Sequence, residues 1–131
     1  MPIDLDSYGV PLSMQHATLN DLVGAIRVWG VDRGIVANSS SMAQLAKLIE
    51  EVGELASGVA KRKPDVIRDS IGDVMVVLVM LASIEGVSVR DCLFAAWTEI
   101  RDRKGRMNDE GVFVKEADEA SQFDHLPAPK L

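Results

Sequence analysis

The sequence predicts an all-α fold: a four-helix antiparallel bundle completed by oligomerisation, with extended arms at both ends. Three observations carry this. Hydrophobic residues make up 47% of the 131-residue chain but aromatic residues only 5%, so the apolar content is Ala, Val, Ile, Leu and Met, a mixture that suits packed helices. Those residues recur at i, i+3, i+4, i+7, the period of a helix with a buried face. The links between the periodic stretches are short, and links of about 2 to 8 residues favour antiparallel neighbours. The length suits one domain, with a core over 18–107 and arms over 1–17 and 108–131.

The arm at the start carries Pro2, Gly9 and Pro11 and has no helical period. Thr18 or Asn20 then caps a first helix, whose apolar positions are Leu19, Leu22, Val23, Ile26 and Trp29, and whose end Gly30 and Gly34 loosen. Asn38-Ser39-Ser40-Ser41 reads as a loop ending in a cap, with Ser41 and Gln44 at capping-box spacing. The second helix runs to about Arg62, with Leu45, Leu48, Ile49, Val52, Leu55, Ala56 and Val59 as its apolar stripe. Lys61, Arg62 and Lys63 lie at its C-terminal end, where cations suit the helix dipole. After Pro64, a third helix covers 65–85 and stops at Gly86. Ser88 with Asp91 starts a fourth, over about 89–104, which Gly105 ends. A short extended segment over 111–115 and a tail with Pro127 and Pro129 follow.

Charge and composition exclude several classes. A net charge of −6 has the wrong sign for a nucleic-acid binder, which needs a basic surface to displace counterions. Cys92 stands alone, so no internal disulfide forms, which fits a reducing cytoplasm; a lone thiol reads as a small core residue rather than a nucleophile. The first 15 residues hold no basic region followed by an apolar run, so no signal peptide is expected. The longest apolar stretch, 74–84, is far short of the roughly 20 residues that span a bilayer, so no membrane partner is expected. His16 and His125 fall in the arms and take no catalytic role.

The chemistry resides in carboxylates. On the second helix Glu50, Glu51 and Glu54 fall away from the apolar stripe. Like charges at i, i+3 and i, i+4 cost a few tenths of a kcal/mol per pair, which Lys47 partly relieves. Such a triplet is either a solvated face or a cluster of hard oxygen donors for Mg²⁺. The third helix is apolar nearly all round, with Ile67, Ile71, Val74, Leu78 and Leu81 on one face and Val76, Val77, Val79 and Met80 on most of the rest. It therefore needs cover on every side, most simply from another subunit. Asp73, with Asp69 one turn before it, sits in this helix, and an ionised aspartate there must be paired or bound to metal. It pairs with Arg101, Arg103 or Lys104, or it joins Glu51 and Glu54 across antiparallel helices, with Gly53 and Gly72 easing their approach.

These residues resemble a known pattern. Glu50-Glu51-Val52-Gly53-Glu54 matches the EExxE motif of the MazG-like all-α nucleotide pyrophosphohydrolase superfamily, and Ser70-Ile71-Gly72-Asp73 occupies the place of its ExxD motif. The likeness runs from about Trp29 to Met107. Asp32-Arg33-Gly34-Ile35 and Asp102-Arg103-Lys104-Gly105-Arg106-Met107 resemble phage-type members. One departure stands out: the motif glutamate is Ser70, so Asp69 replaces it or water fills the gap.

The resemblance implies Mg²⁺, with Mn²⁺ as the alternative, held by Glu51, Glu54 and Asp73, with Asp69 as the substitute ligand. Glu50 is then a further ligand or the base that orients the attacking water. It implies cleavage of a nucleoside triphosphate to a monophosphate and pyrophosphate in nucleotide-pool clean-up or adjustment, by a homodimer or homotetramer. Arg101, Arg103 and Lys104, with Lys61 and Lys63 behind them, are candidates for the outer phosphates, unless they are simply solvated charges. Trp29 or Trp97 stacks on the base or packs in the core. Asn38 hydrogen-bonds the nucleotide or forms a turn. A catalytically weak or inactive nucleotide-binding protein, or a structural helical oligomer, is the competing expectation.

Overall fold

A computed structural model describes residues 15–116. Four helices of at least twelve residues, one short helix and a small hairpin make up the described chain. It is all-α apart from that hairpin. By their contacts the described residues form two compact units, which divide after Cys92.

In the first unit, helix α1 (Leu19–Asp32) opens with a capping box. The Thr18 hydroxyl accepts from the Asp21 amide at 3.1 Å, and the Asp21 carboxylate accepts from the Thr18 amide at 2.9 Å. Such a cap stabilises a helix by about 1 kcal/mol. Gly34, in the left-handed region at φ 76°, turns the chain into a short helix α2 (Ile35–Asn38), which the periodicity did not reveal. Helix α3 (Ser41–Ala60) starts one residue earlier in its cap than expected: Ser40 accepts from the Ala43 amide, and Gln44 donates to the Ser39 hydroxyl. Helix α4 (Pro64–Glu85) has its proline in the first turn and left-handed Gly86 as its C-cap.

Helices α3 and α4 form an antiparallel hairpin. The Ser41 hydroxyl, at the start of α3, donates to the Glu85 carboxylate at the end of α4. At the other end a Cβ on Gly58 would press on Val66 and the backbone of Ile67. The close approach thus falls at Gly58. Gly53 and Gly72, expected to ease it, face open space.

Burial corrects the helical-wheel reading of α3. Its inward positions are Ser41, Gln44, Leu48, Glu51, Leu55 and Gly58, alternating by three and four residues. The apolar stripe is wider than one partner helix covers. Leu48 and Leu55 pack inward, whereas Met42, Leu45, Ile49, Val52 and Val59 are exposed. Glu51 falls on the buried side of that boundary. In α4, Ile67, Ser70, Val74, Val77, Leu81 and Ile84 repeat at the same heptad-like spacing. Val77, Val79, Met80 and Ala82 make the buried core. Part of the cover that α4 requires comes from within the chain: α1 approaches closely at Gly30, where a Cβ would force the Met80 thioether to move. Ile71 and Leu78 of α4 remain exposed.

Helix α5 (Val89–Ile100) begins in the first unit and continues into the second. It ends four residues before the expected boundary, because 101–104 turn into strand β1 (Gly105–Met107). That strand pairs antiparallel with β2 (Phe113–Lys115), Gly105 opposite Lys115. The Asn108 side-chain oxygen accepts from the Glu110 and Val112 amides and closes the turn, with Gly111 left-handed at φ 80°. The expected extended segment at 111–115 is therefore one arm of a hairpin. Cys92, expected as a small core residue, is exposed. No single helix among the described residues is long and apolar enough to cross a membrane. The tail with His125 and most of the first arm lie outside the described residues.

Candidate metal centre and nucleotide groove

Glu51, Glu54 and Asp73 converge between α3 and α4, each offering a carboxylate oxygen within 4.8 Å of the others. Their i, i+3 spacing on α3 turns Glu51 and Glu54 toward one side. Antiparallel packing brings α4 past them at Asp73. Glu51 is 7% exposed, although it is charged. Its Oε1 receives the Lys47 ammonium at 3.2 Å, and its Oε2 is buried with no hydrogen-bond partner.

A buried acceptor left unpaired costs about 1–3 kcal/mol, more when charged. A divalent cation with a preference for hard oxygen ligands satisfies that oxygen and offsets the repulsion among the three carboxylates. The donor set therefore fits Mg²⁺ or Mn²⁺. The repulsion is visible in Glu54, whose pKa is raised first by the charge of Glu51, then by desolvation and the charge of Glu50.

Glu50 lies outside this convergent group. Its side chain is exposed and meets Lys47 at 3.5 Å. Asp69 is exposed and outside the convergent group, while Ser70, its neighbour, is buried. Lys47 pairs with both Glu50 and Glu51, which raises its own pKa, chiefly through the hydrogen bond to Glu51.

Lys47 also lines an open groove of about 760 Å³ that runs past Trp29, Arg33, Asn38, Gln44 and Met80. Trp29 is half exposed there. Asn38 lines the groove while its side-chain amide donates to the Gly34 carbonyl at 2.8 Å. The structure thus brings together Trp29, Asn38 and Lys47. Arg33 and Gln44 were not anticipated as groove residues. Spacing held a signal for Arg33, the C-cap of α1, which lies one helical turn after Trp29 and so on its side. Gln44 read only as part of a cap.

Arg101 and Lys104 belong to the second unit. Arg101 pairs with Asp102 at 3.1 Å, and Arg103 with Glu99 at 3.3 Å. The Lys104 carbonyl accepts from the Glu116 amide. Trp97, on α5, is exposed.

Comparison with known proteins agrees with this arrangement. A MazG-like pyrophosphohydrolase of cyanophage S-2L, solved with dGDP and three catalytic Mn²⁺ ions per active site, is 27% identical with a TM-score of 0.58. The match covers 76% of this chain and 94% of that one. An 18.2 kDa protein from the rep–hol intergenic region of Haemophilus phage HP1 is 56% identical over 66 residues, half of this chain. The match covers 40% of that relative's length. The family model for the MazG nucleotide pyrophosphohydrolase domain matches residues 39–105, which contain the whole convergent cluster and just over half of the chain. The chain belongs to the MazG nucleotide pyrophosphohydrolase domain family.

Proposed function

We propose that the chain hydrolyses a nucleoside triphosphate, ribo or deoxy, to the monophosphate and pyrophosphate, with Mg²⁺ or Mn²⁺, in nucleotide-pool clean-up or adjustment. One observation carries the reading: Glu51, Glu54 and Asp73 converge, and Glu51 carries a buried, unpartnered carboxylate oxygen, beside a groove that contains Trp29. The cyanophage relative with its nucleotide and metal ions supports it.

Bound divalent ions would reverse the sign of this acidic site, polarise the phosphoryl oxygens and lower the pKa of a bound water. The residues supply the rest. Glu51, Glu54 and Asp73 hold the ions, with Asp69 as a candidate for an outer position. Glu50, one residue from the cluster, serves as a further ligand or as the base that orients water for in-line attack. The Trp29 ring stacks on the base, and Asn38 meets the base or sugar.

The protein acts as a homodimer or homotetramer in this reading. Met42, Ile49, Val52 and Val59 on α3 and Ile71 on α4 are large apolar side chains left exposed, which a second copy of the chain would cover. Substrate is a nucleotide, and neither nucleic acid nor a membrane is a partner.

A panel of nucleoside triphosphates with Mg²⁺, scored for products, tests the assignment. Monophosphate and pyrophosphate are expected. Diphosphate and orthophosphate would contradict it.

Ser70 favours a second reading. It is 2% exposed and stands where the family motif carries glutamate, so the site has one carboxylate fewer and the chain binds nucleotide with weak or no turnover. Ser70→Glu separates the two: a rise in hydrolysis supports a decayed site.

A further inference from the structure

We propose that Lys47 is a resident counter-ion of the metal centre, holding Glu51 while the site is metal-free and displaced when the first divalent ion enters. The inference rests on the metal-binding reading above and adds a residue to it. Lys47 is the one basic residue in α3, and its ammonium lies 3.2 Å from Glu51 Oε1 and 3.5 Å from Glu50 Oε1. Glu51 has Oε1 engaged by Lys47 and Oε2 buried without a hydrogen-bond partner.

Carboxylates brought as close as Glu51, Glu54 and Asp73 repel one another, and one nearby cation lowers that repulsion. A cation that stabilises the metal-free site necessarily opposes the metal. It engages one oxygen of a carboxylate ligand, and its charge repels the ion. Lys47 can yield without being buried, since its side chain is half exposed and it lines the groove next to the cluster. Once displaced it stands on the groove wall as Arg33 does, so the same charge that guards the empty site faces the anionic part of a ligand.

Calorimetric titration of the full chain with Mn²⁺ alone, without nucleotide, tests this in wild type, Lys47→Met and Lys47→Arg. The expected result is wild-type binding, about tenfold tighter binding by Lys47→Met at low salt, and near wild-type affinity for Lys47→Arg, since a unit charge near a divalent ion at an exposed site is worth about a factor of ten. The gain shrinks at higher ionic strength. Far-UV circular dichroism verifies that both variants are folded, as expected for a half-exposed position, and Lys47→Gln serves as a second neutral variant. Wild-type binding with Lys47→Met and Lys47→Gln equal to or weaker than it overturns the counter-ion role and leaves the metal site standing. Absence of any wild-type binding overturns both.

Discussion

Glu51 raises the proton affinity of Glu54, three residues further along the same helix. A carboxyl whose pKa in the folded chain lies above its unfolded value stabilises the fold fully below the unfolded pKa. That contribution is lost as pH rises through the folded pKa. For Glu54 the window begins near its ordinary value of 4.5 and extends upward. In metal-free buffer the stability of wild type relative to Glu54→Gln should therefore fall as pH climbs through this window. Saturating Mg²⁺ should abolish or reverse the fall. Thermal melts of the two proteins across pH, with chelator and with Mg²⁺, make the measurement. Parallel profiles in chelator would remove the coupling between the two glutamates.

The convergent carboxylates should be individually indispensable for turnover. Glu51→Gln, Glu54→Gln and Asp73→Asn should each lower kcat/KM by on the order of 100-fold or more, given that even groups behind metal ligands cost 10–100-fold. Chelation should abolish activity, and Mg²⁺ or Mn²⁺ should restore it in wild type. Glu51→Gln should leave the metal-free fold intact, because it removes a repelling charge. Steady-state kinetics with metal titration decide the matter. A variant of the three that retains wild-type turnover would break the proposed ligand set.

Trp29 is half exposed on the wall of the groove, so its loss should affect binding more than chemistry. Trp29→Ala should raise KM by roughly 5- to 100-fold, corresponding to stacking of about 1–3 kcal/mol per base, with a smaller change in kcat. Quenching of the Trp29 fluorescence by nucleotide, measured in a Trp97→Phe background, provides an independent reading. An unchanged KM would return Trp29 to a purely packing role.

Ile49 is 65% exposed on a helix whose inner face is already covered. Lys in its place faces solvent in a monomer and is stranded at an apolar interface in an oligomer. Ile49→Lys should shift the protein toward smaller species in sedimentation velocity while preserving helix content. Wild type sedimenting as a monomer would dismiss the oligomeric assignment.

The elements were largely legible because they depend on local rules. Thr18 caps α1, proline starts α4 and glycine stops it, as spacing predicts. The misreadings fall where local pattern runs out. Helix α2 is four residues long, too short to display a period. The turn that ends α5 early is set by the pairing of Gly105–Met107 with Phe113–Lys115, which no local pattern in either strand announces. The α3 stripe was read as one face, yet hydrophobicity cannot say where along a wide stripe the partner helix will sit.

The sequence by itself determined the helical class, most of the helix boundaries, and which acidic residues are candidates for metal binding, since periodicity and side-chain chemistry are properties of the chain. Only the tertiary structure decided that Glu51 is buried with one oxygen unpaired, that Asp73 rather than Asp69 meets it, and that Lys47 belongs to both cluster and groove. Those facts depend on how two helices rotate about their axes as they pack. That rotation is chosen by the sum of all contacts at Gly58, Leu48, Val77 and their neighbours, and by no single residue.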